Sequence, residues 1–128
     1  MRHRNNFYCG GALIHPKVVL TVAHCLFQKD PSKLVVRAGQ LDITDTALSS
    51  LDFKDLAVEK VIIHEDYNNN NLFNDIALVI MKEEFPMQDN IGIICLPSTN
   101  TIFDDKTCDV SGFGEETYCA IYFDKFIG

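Results

Sequence analysis

Residues 9–25, Cys-Gly-Gly-Ala-Leu-Ile-His-Pro-Lys-Val-Val-Leu-Thr-Val-Ala-His-Cys, restrict the possible fold more than any other stretch of the chain. Two cysteines bracket a glycine pair and two apolar runs, and a histidine stands immediately before the second cysteine. Gly10-Gly11 permits a tight turn or a close backbone approach ahead of Ala12-Leu13-Ile14. His15-Pro16 makes a turn, because proline disfavours helix in the residue before it. Val18 to Val22 is a short, continuous, mostly β-branched run, which predicts a strand buried on both faces. The chain leaves that strand at Ala23-His24-Cys25, and three readings of His24 stand open here: catalytic base, metal ligand or ordinary core residue.

The remaining chain repeats this punctuation of short apolar runs by turn signals. Leu34 to Gly39 reads as a strand ending at a glycine, and Leu56 to His64 as a strand whose alternation is broken at Glu59-Lys60. Residues 40–55 are polar, acidic and mostly loop; Asp42, Asp45, Asp52 and Asp55 are read as a solvated face in preference to a cation site. The tract Asn68 to Asn71 suits a turn and delivers the chain to Asn74-Asp75, after which Ile76 to Met81 is a central strand by composition. Ile91 to Pro97 is a further apolar segment, a loop rich in Thr, Asn and Asp follows, and Cys108 to Gly114 predicts a last strand. No convincing amphipathic helix occurs, so the pattern predicts an all-β antiparallel barrel or sandwich.

Composition excludes several function classes. With 128 residues, 47% hydrophobic against 23% charged, the chain suits one hydrophobic core, and no apolar run approaches the eighteen or so residues of a membrane span. The expectation is no membrane association. A net charge of −7 with eleven scattered Lys and Arg repels phosphate backbones, which argues against nucleic acid as a partner. Five cysteines without a Cys-x-x-Cys pair point to disulfides and an oxidising compartment. The odd count leaves at least one thiol without an internal mate. The opening Met1-Arg-His-Arg-Asn-Asn has no apolar core and does not read as a secretory signal, so for a secreted protein the N-terminus is expected to lie outside this sequence.

Several of these segments, taken in order, carry a resemblance. Cys-Gly-Gly-Ala-Leu-Ile from Cys9, Thr-Val-Ala-His-Cys ending at Cys25, Ile63-His64-Glu65-Asp66-Tyr67, Asn74-Asp75-Ile-Ala-Leu-Val, Ile94-Cys95-Leu96-Pro97 and Cys108-Asp-Val-Ser-Gly-Phe-Gly resemble the chymotrypsin-like (S1) serine proteases from about Phe7 to Gly114. The resemblance implies a trypsin-like fold of which residues 1–114 form the first, six-stranded antiparallel β-barrel, with 115–128 an unassigned tail. It implies a disulfide between Cys9 and Cys25. It also implies that His24 is the general base for a serine hydroxyl and that Asp75 orients it and stabilises its imidazolium. His3, His15 and His64 are expected to be structural. A metal site at His24 and the cysteines fits no zinc spacing, and Gln40 stands where a calcium-binding member usually has glutamate, so no metal and no cofactor are expected.

The resemblance also has an edge. No Gly-Asp-Ser-Gly occurs, and Ser32, Ser49, Ser50, Ser98 and Ser111 lack that context. The nucleophile, oxyanion hole and specificity pocket belong to the family's second barrel, which these residues do not include, so no peptidase activity is expected of this chain alone. The family's first strand and Ile-Val-Gly-Gly start are missing as well, and Phe113 replaces the usual tryptophan. Cys108 is expected to bridge to the second barrel and Cys95 to an N-terminal clip or prodomain, leaving Cys119 unassigned. The segments Leu34 to Asp45, Val61 to Val79 and Asn90 to Gly114 look most like arthropod clip-domain proteases and their non-catalytic homologues. Two functions follow by resemblance: part of a secreted serine endopeptidase acting on protein substrates, or a non-catalytic homologue that binds a protease or zymogen.

Overall fold

The computed structural model describes residues 1–3, 6–7, 9–40, 53–109 and 111–112. Among the described residues seven strands form one sheet: β1 (Arg2–His3), β2 (Asn6–Phe7), β3 (Ala12–His15), β4 (Val18–Thr21), β5 (Val35–Ala38), β6 (Lys54–Ile63) and β7 (Ala77–Met81). Every pairing is antiparallel, and the strand order is β2-β1-β5-β6-β7-β4-β3. The helical content among the described residues is one 3-10 turn, Pro31–Lys33, capped by the Asp30 carboxylate, which accepts from the Ser32 N–H. This all-β, antiparallel, curled sheet agrees with the predicted class. No helix among the described residues is long and apolar enough to cross a membrane.

The curl comes from β6. Its first half pairs with β5, Lys54 opposite Ala38 through Ala57 opposite Val35. Its second half pairs with β7, Val58 opposite Met81 through Ile63 opposite Ala77. A bulge between Val58 and Lys60 separates the halves. An extra residue there bends the strand and resets which face its side chains meet. The broken alternation in the sequence is therefore a corner: Val58 is buried, Glu59 and Lys60 are exposed, and Val61 and Ile63 return toward the core. Glu59 lies 3.6 Å from the Lys17 ammonium on the neighbouring turn.

The core sits inside the curl and is built from Val19, Leu26, Leu34, Val36, Val58, Ala77, Val79, Met81, Phe85 and Ile91, with Ala23 and Cys25 where the chain leaves β4. Strand β7 alternates cleanly, with Ala77, Val79 and Met81 buried. Strand β4 corrects one expectation. Val19 and Thr21 are buried but Val18 and Leu20 only half so, because the sheet wraps one core and its other face covers a groove instead of a second layer. Gly11 makes the close approach its type allows: a Cβ there would lie 2.8 Å from Val19 Cγ1 and 3.0 Å from the Leu20 carbonyl oxygen.

Two further expectations change. The polar start contains the small hairpin β1–β2, joined to β5 through Arg2 opposite Val35, and Met1 is buried with its ammonium donating to the Cys9 carbonyl. The last strand predicted from Cys108 is not present at residues 108–109 and 111–112, which are exposed and are not in strand conformation. Val110, Phe113 and Gly114 lie outside the described residues, as do 41–52 and the tail 115–128.

Candidate active site

The pairing of β4 with β7 builds the site. Thr21, the last residue of β4, lies opposite Ala77, the first of β7. Extending each strand by two or three residues brings Asp75 and His24 together although they are 51 residues apart in sequence. His24 opens a tight turn in which the buried Ala23 carbonyl accepts from both Leu26 and Phe27 N–H at 2.9 Å. The structure bridges Cys25 to Cys9, and Thr21 Oγ1 donates to the Gly10 carbonyl at 2.8 Å. The turn that carries His24 is thus fastened to the segment before β3 by one covalent and one hydrogen bond.

Asp75 accepts twice from His24. Its Oδ2 lies 2.6 Å from the ring Nδ1, and its Oδ1 takes the His24 backbone N–H at 2.7 Å. An ionised carboxylate only accepts, so Nδ1 carries the proton and a neutral ring keeps its lone pair at Nε2. The His24 side chain is 49% exposed and that of Asp75 19%. Partial burial of Asp75 works to raise its pKa, but the hydrogen bond and charge of His24, with the N–H groups of His24 and Ala23, outweigh it and hold the carboxyl below its ordinary value. The imidazole is open to solvent and its carboxylate partner is sheltered. Such a pair can take a proton from an incoming hydroxyl and stabilise the resulting imidazolium.

Tyr67 packs beside this pair, edge-on to Phe27 with ring centroids 5.7 Å apart. Burial and the nearby Asp75 charge push its phenol upward, and its hydroxyl donates to Asn69 Oδ1 at 3.0 Å. His15 and His64 act in turns: the Nδ1 of His15 accepts from Lys17 N–H, and that of His64 from Asp66 N–H. The side chain of His3 is outside the described residues. The hydroxyls of Ser32 and Ser98 are engaged locally, by Asp30 and Thr101 at 2.7 Å.

The metal reading of His24 meets a chemical obstacle. Cys9, His24 and Cys25 place their ligand atoms within 4.8 Å of one another, but both sulfurs are spent in the disulfide and neither is a thiolate. At Gln40, the side-chain oxygen accepts from Arg37 at 3.0 Å, and Arg37 forms a two-bond fork with Asp55 at 2.6 and 2.7 Å. The guanidinium also lies 3.5 Å above the Phe53 ring. The Asp55 carboxylate and the Gln40 oxygen are thus already engaged by a side-chain cation. Asp42, Asp45 and Asp52 fall outside the described residues.

Of the other cysteines, Cys95 and Cys108 are exposed thiols, and Cys119 lies outside the described residues. Cys95 borders an apolar groove of about 360 Å³ that runs from Asp75 along Ala12, Leu20, Val22, Ile76 and Leu96.

Comparison with known proteins places the chain in a family. The family model described as Trypsin matches residues 1–125, running past Gly114. The chain belongs to the trypsin family. Among trypsin-family relatives, "Phenoloxidase-activating factor 2" of Galleria mellonella is 40% identical over 115 residues, which is 89% of this chain and 37% of that protein. "Inactive CLIP domain-containing serine protease A28" of Anopheles gambiae is 38% identical over 87% of this chain and 29% of its own length. The Drosophila Grass clip serine protease of the Toll pathway, a crystal structure, superposes with a TM-score of 0.64 at 33% identity, covering 74% of this chain and 29% of that one. The chain therefore spans about a third of the length of the trypsin-family relatives it matches, and the resemblance to clip-domain proteases stated above is met.

The site residues singled out in the sequence, His24 and Asp75, are brought together, and the Cys9–Cys25 bridge lies beside them. Sequence reasoning missed Asn74, which precedes Asp75 with a left-handed φ of 55°. An asparagine directly before a site aspartate, at the end of a polar turn, is the signal that could have marked it.

Proposed function

We propose that residues 1–114 form the first barrel of a trypsin-like serine endopeptidase domain and contribute its base pair, His24 and Asp75. His24 Nε2 takes the proton of a serine hydroxyl as that oxygen attacks a peptide carbonyl, and returns it to the leaving amine. Asp75 fixes the tautomer and stabilises the imidazolium between the two steps. The serine, oxyanion hole and specificity pocket come from a second barrel outside these 128 residues. The apolar groove beside Asp75 supports this reading, since it offers a second barrel a surface adjoining the base. In this reading the protein is extracellular, acts on protein substrates, and is tethered through Cys95 to an N-terminal clip or prodomain.

The observation that carries the proposal is the two-point contact of Asp75 with His24, 2.6 Å to the ring and 2.7 Å to the backbone N–H. A non-catalytic homologue that binds a protease or zymogen is the second reading, favoured by the 38% identity to a relative named as inactive. The sequence encoded downstream of Gly128 separates the two: Gly-Asp-Ser-Gly-Gly supports the enzyme, and glycine in place of that serine supports the homologue.

A fluorophosphonate probe tests the division of labour. The 128-residue chain is expected not to label, because the groups that form and stabilise the tetrahedral intermediate are elsewhere. The protein that extends through a Gly-Asp-Ser-Gly-Gly is expected to label, and to lose labelling in His24→Ala. Labelling of the 128-residue chain, or persistence of labelling in that variant, overturns the proposal.

A further inference from the structure

The ladder between β4 and β7 brings the backbones of His24 and Asp75 near one another but does not aim the carboxylate. Its last pair is Thr21 with Ala77, two residues beyond Asp75. Between that pair and the preceding loop, the Ile76 N–H bonds back to the Asn74 carbonyl at 2.8 Å, which makes Asp75 the middle residue of a three-residue turn. Asn74 enters that turn with φ of 55°, in the left-handed region. Its side-chain amide donates to the Asp66 carbonyl at 3.0 Å, tying it across the base of the loop. Beside it the His64 N–H donates to the Ile76 carbonyl at 3.1 Å and closes the loop from the other strand. Tyr67, within the same loop, rests edge-on against Phe27 in the turn that carries His24.

We infer that Asn74 is a positioning residue whose left-handed backbone turns the Asp75 carboxylate onto His24. The chemistry asks for asparagine or glycine there. A side chain with an ordinary Cβ resists this region, whereas asparagine tolerates it and glycine meets no barrier. A residue that relaxes to negative φ redirects the next peptide and swings Asp75 away from both the ring Nδ1 and the backbone N–H it now holds. The amide tether to Asp66 limits drift but does not choose the backbone region. The role is indirect, since Asn74 acts through Asp75 and touches neither the base nor a substrate.

This inference rests on the reading of Asp75 as the residue that orients His24, and the test separates the two. In the ¹⁵N-labelled 128-residue chain at low temperature, the proton on His24 Nδ1 is observed directly and its exchange with water timed. In wild type it is expected to be protected, and in Asp75→Asn lost; if wild type shows no such proton, or Asp75→Asn leaves it unchanged, the reading of the pair fails. Given a protected wild-type proton, Asn74→Ala is expected to exchange about tenfold faster, in line with the cost of holding an ordinary residue at positive φ. Asn74→Gly keeps the backbone region while removing the tether, and is expected to exchange more nearly like wild type than like Asn74→Ala. Wild-type protection in a folded Asn74→Ala, or fast exchange in Asn74→Gly, overturns the inference. Should Asn74→Ala fail to fold, Asn74→Gly decides alone: retained protection supports the role and its loss refutes it.

Discussion

Asp75 holds the site together by accepting two bonds from one residue, and the direction of its pKa shift states how that attachment responds to pH. Its folded-state pKa lies below its unfolded value, so its contacts stabilise the fold fully above the unfolded carboxylate pKa of about 3.9. That contribution is lost as pH falls through the lower folded value. The melting temperature of wild type is therefore expected to exceed that of Asp75→Ala by an amount that is constant from neutral pH to about 5 and shrinks below 4. At neutral pH the difference corresponds to about 2 kcal/mol, the scale of hydrogen bonds to a charged group. Thermal melts of both proteins across pH 3–7 check it, and a gap that widens on acidification contradicts it. Gly11 is the second residue whose identity the fold dictates. Gly11→Ala sets a Cβ against Val19 and the Leu20 carbonyl, neither of which is a flexible side-chain end, and is expected to cost about 1–3 kcal/mol in urea unfolding.

At the scale of elements, the turn carrying His24 is held both by its disulfide and by the burial of Ala23 and Leu26. Closing a 16-residue separation between Cys9 and Cys25 contributes about 3 kcal/mol by restricting the unfolded chain. Replacing both cysteines by alanine is expected to lower the melting temperature by roughly 10 °C, measured by calorimetry. Much of the element structure was legible in the residues. Val35–Ala38 and Ala77–Met81 are short apolar runs with clear ends, and their strands fall where those runs do. Strand β6 was legible only in part, since the bulge that explains Glu59-Lys60 depends on which partner each half meets, and no local pattern encodes partners. Cys108 to Gly114 was a weaker signal, since Asp109, Ser111 and Gly112 interrupt its apolar residues, and 108–109 and 111–112 are exposed and outside any strand. At the site, His24 and Asp75 were legible through their flanking motifs. The conformation of Asn74 was not, because asparagine at a polar turn tolerates the left-handed region without requiring it.

For the whole molecule, the sheet buries one face well and leaves the other unfinished. Ile76, Leu96, Ile93 and Ile102 are exposed, and the groove beside Asp75 is lined almost wholly by apolar atoms. A chain with that surface is expected to associate. In sedimentation velocity the 128-residue protein should show concentration-dependent species larger than a monomer, and a protein that stays monomeric across the concentration range contradicts this. The contact of His24 with Asp75 also sets an order of events at the ribosome. The two residues stand 51 positions apart, and at about 5–20 residues per second roughly 3–10 s separate their synthesis. Both cysteines of the bridge are already made when that interval begins or within one residue of it. In an oxidising compartment the loop around His24 can be locked shut before its aspartate exists, so the nascent chain presents a fixed histidine for the later strand to find.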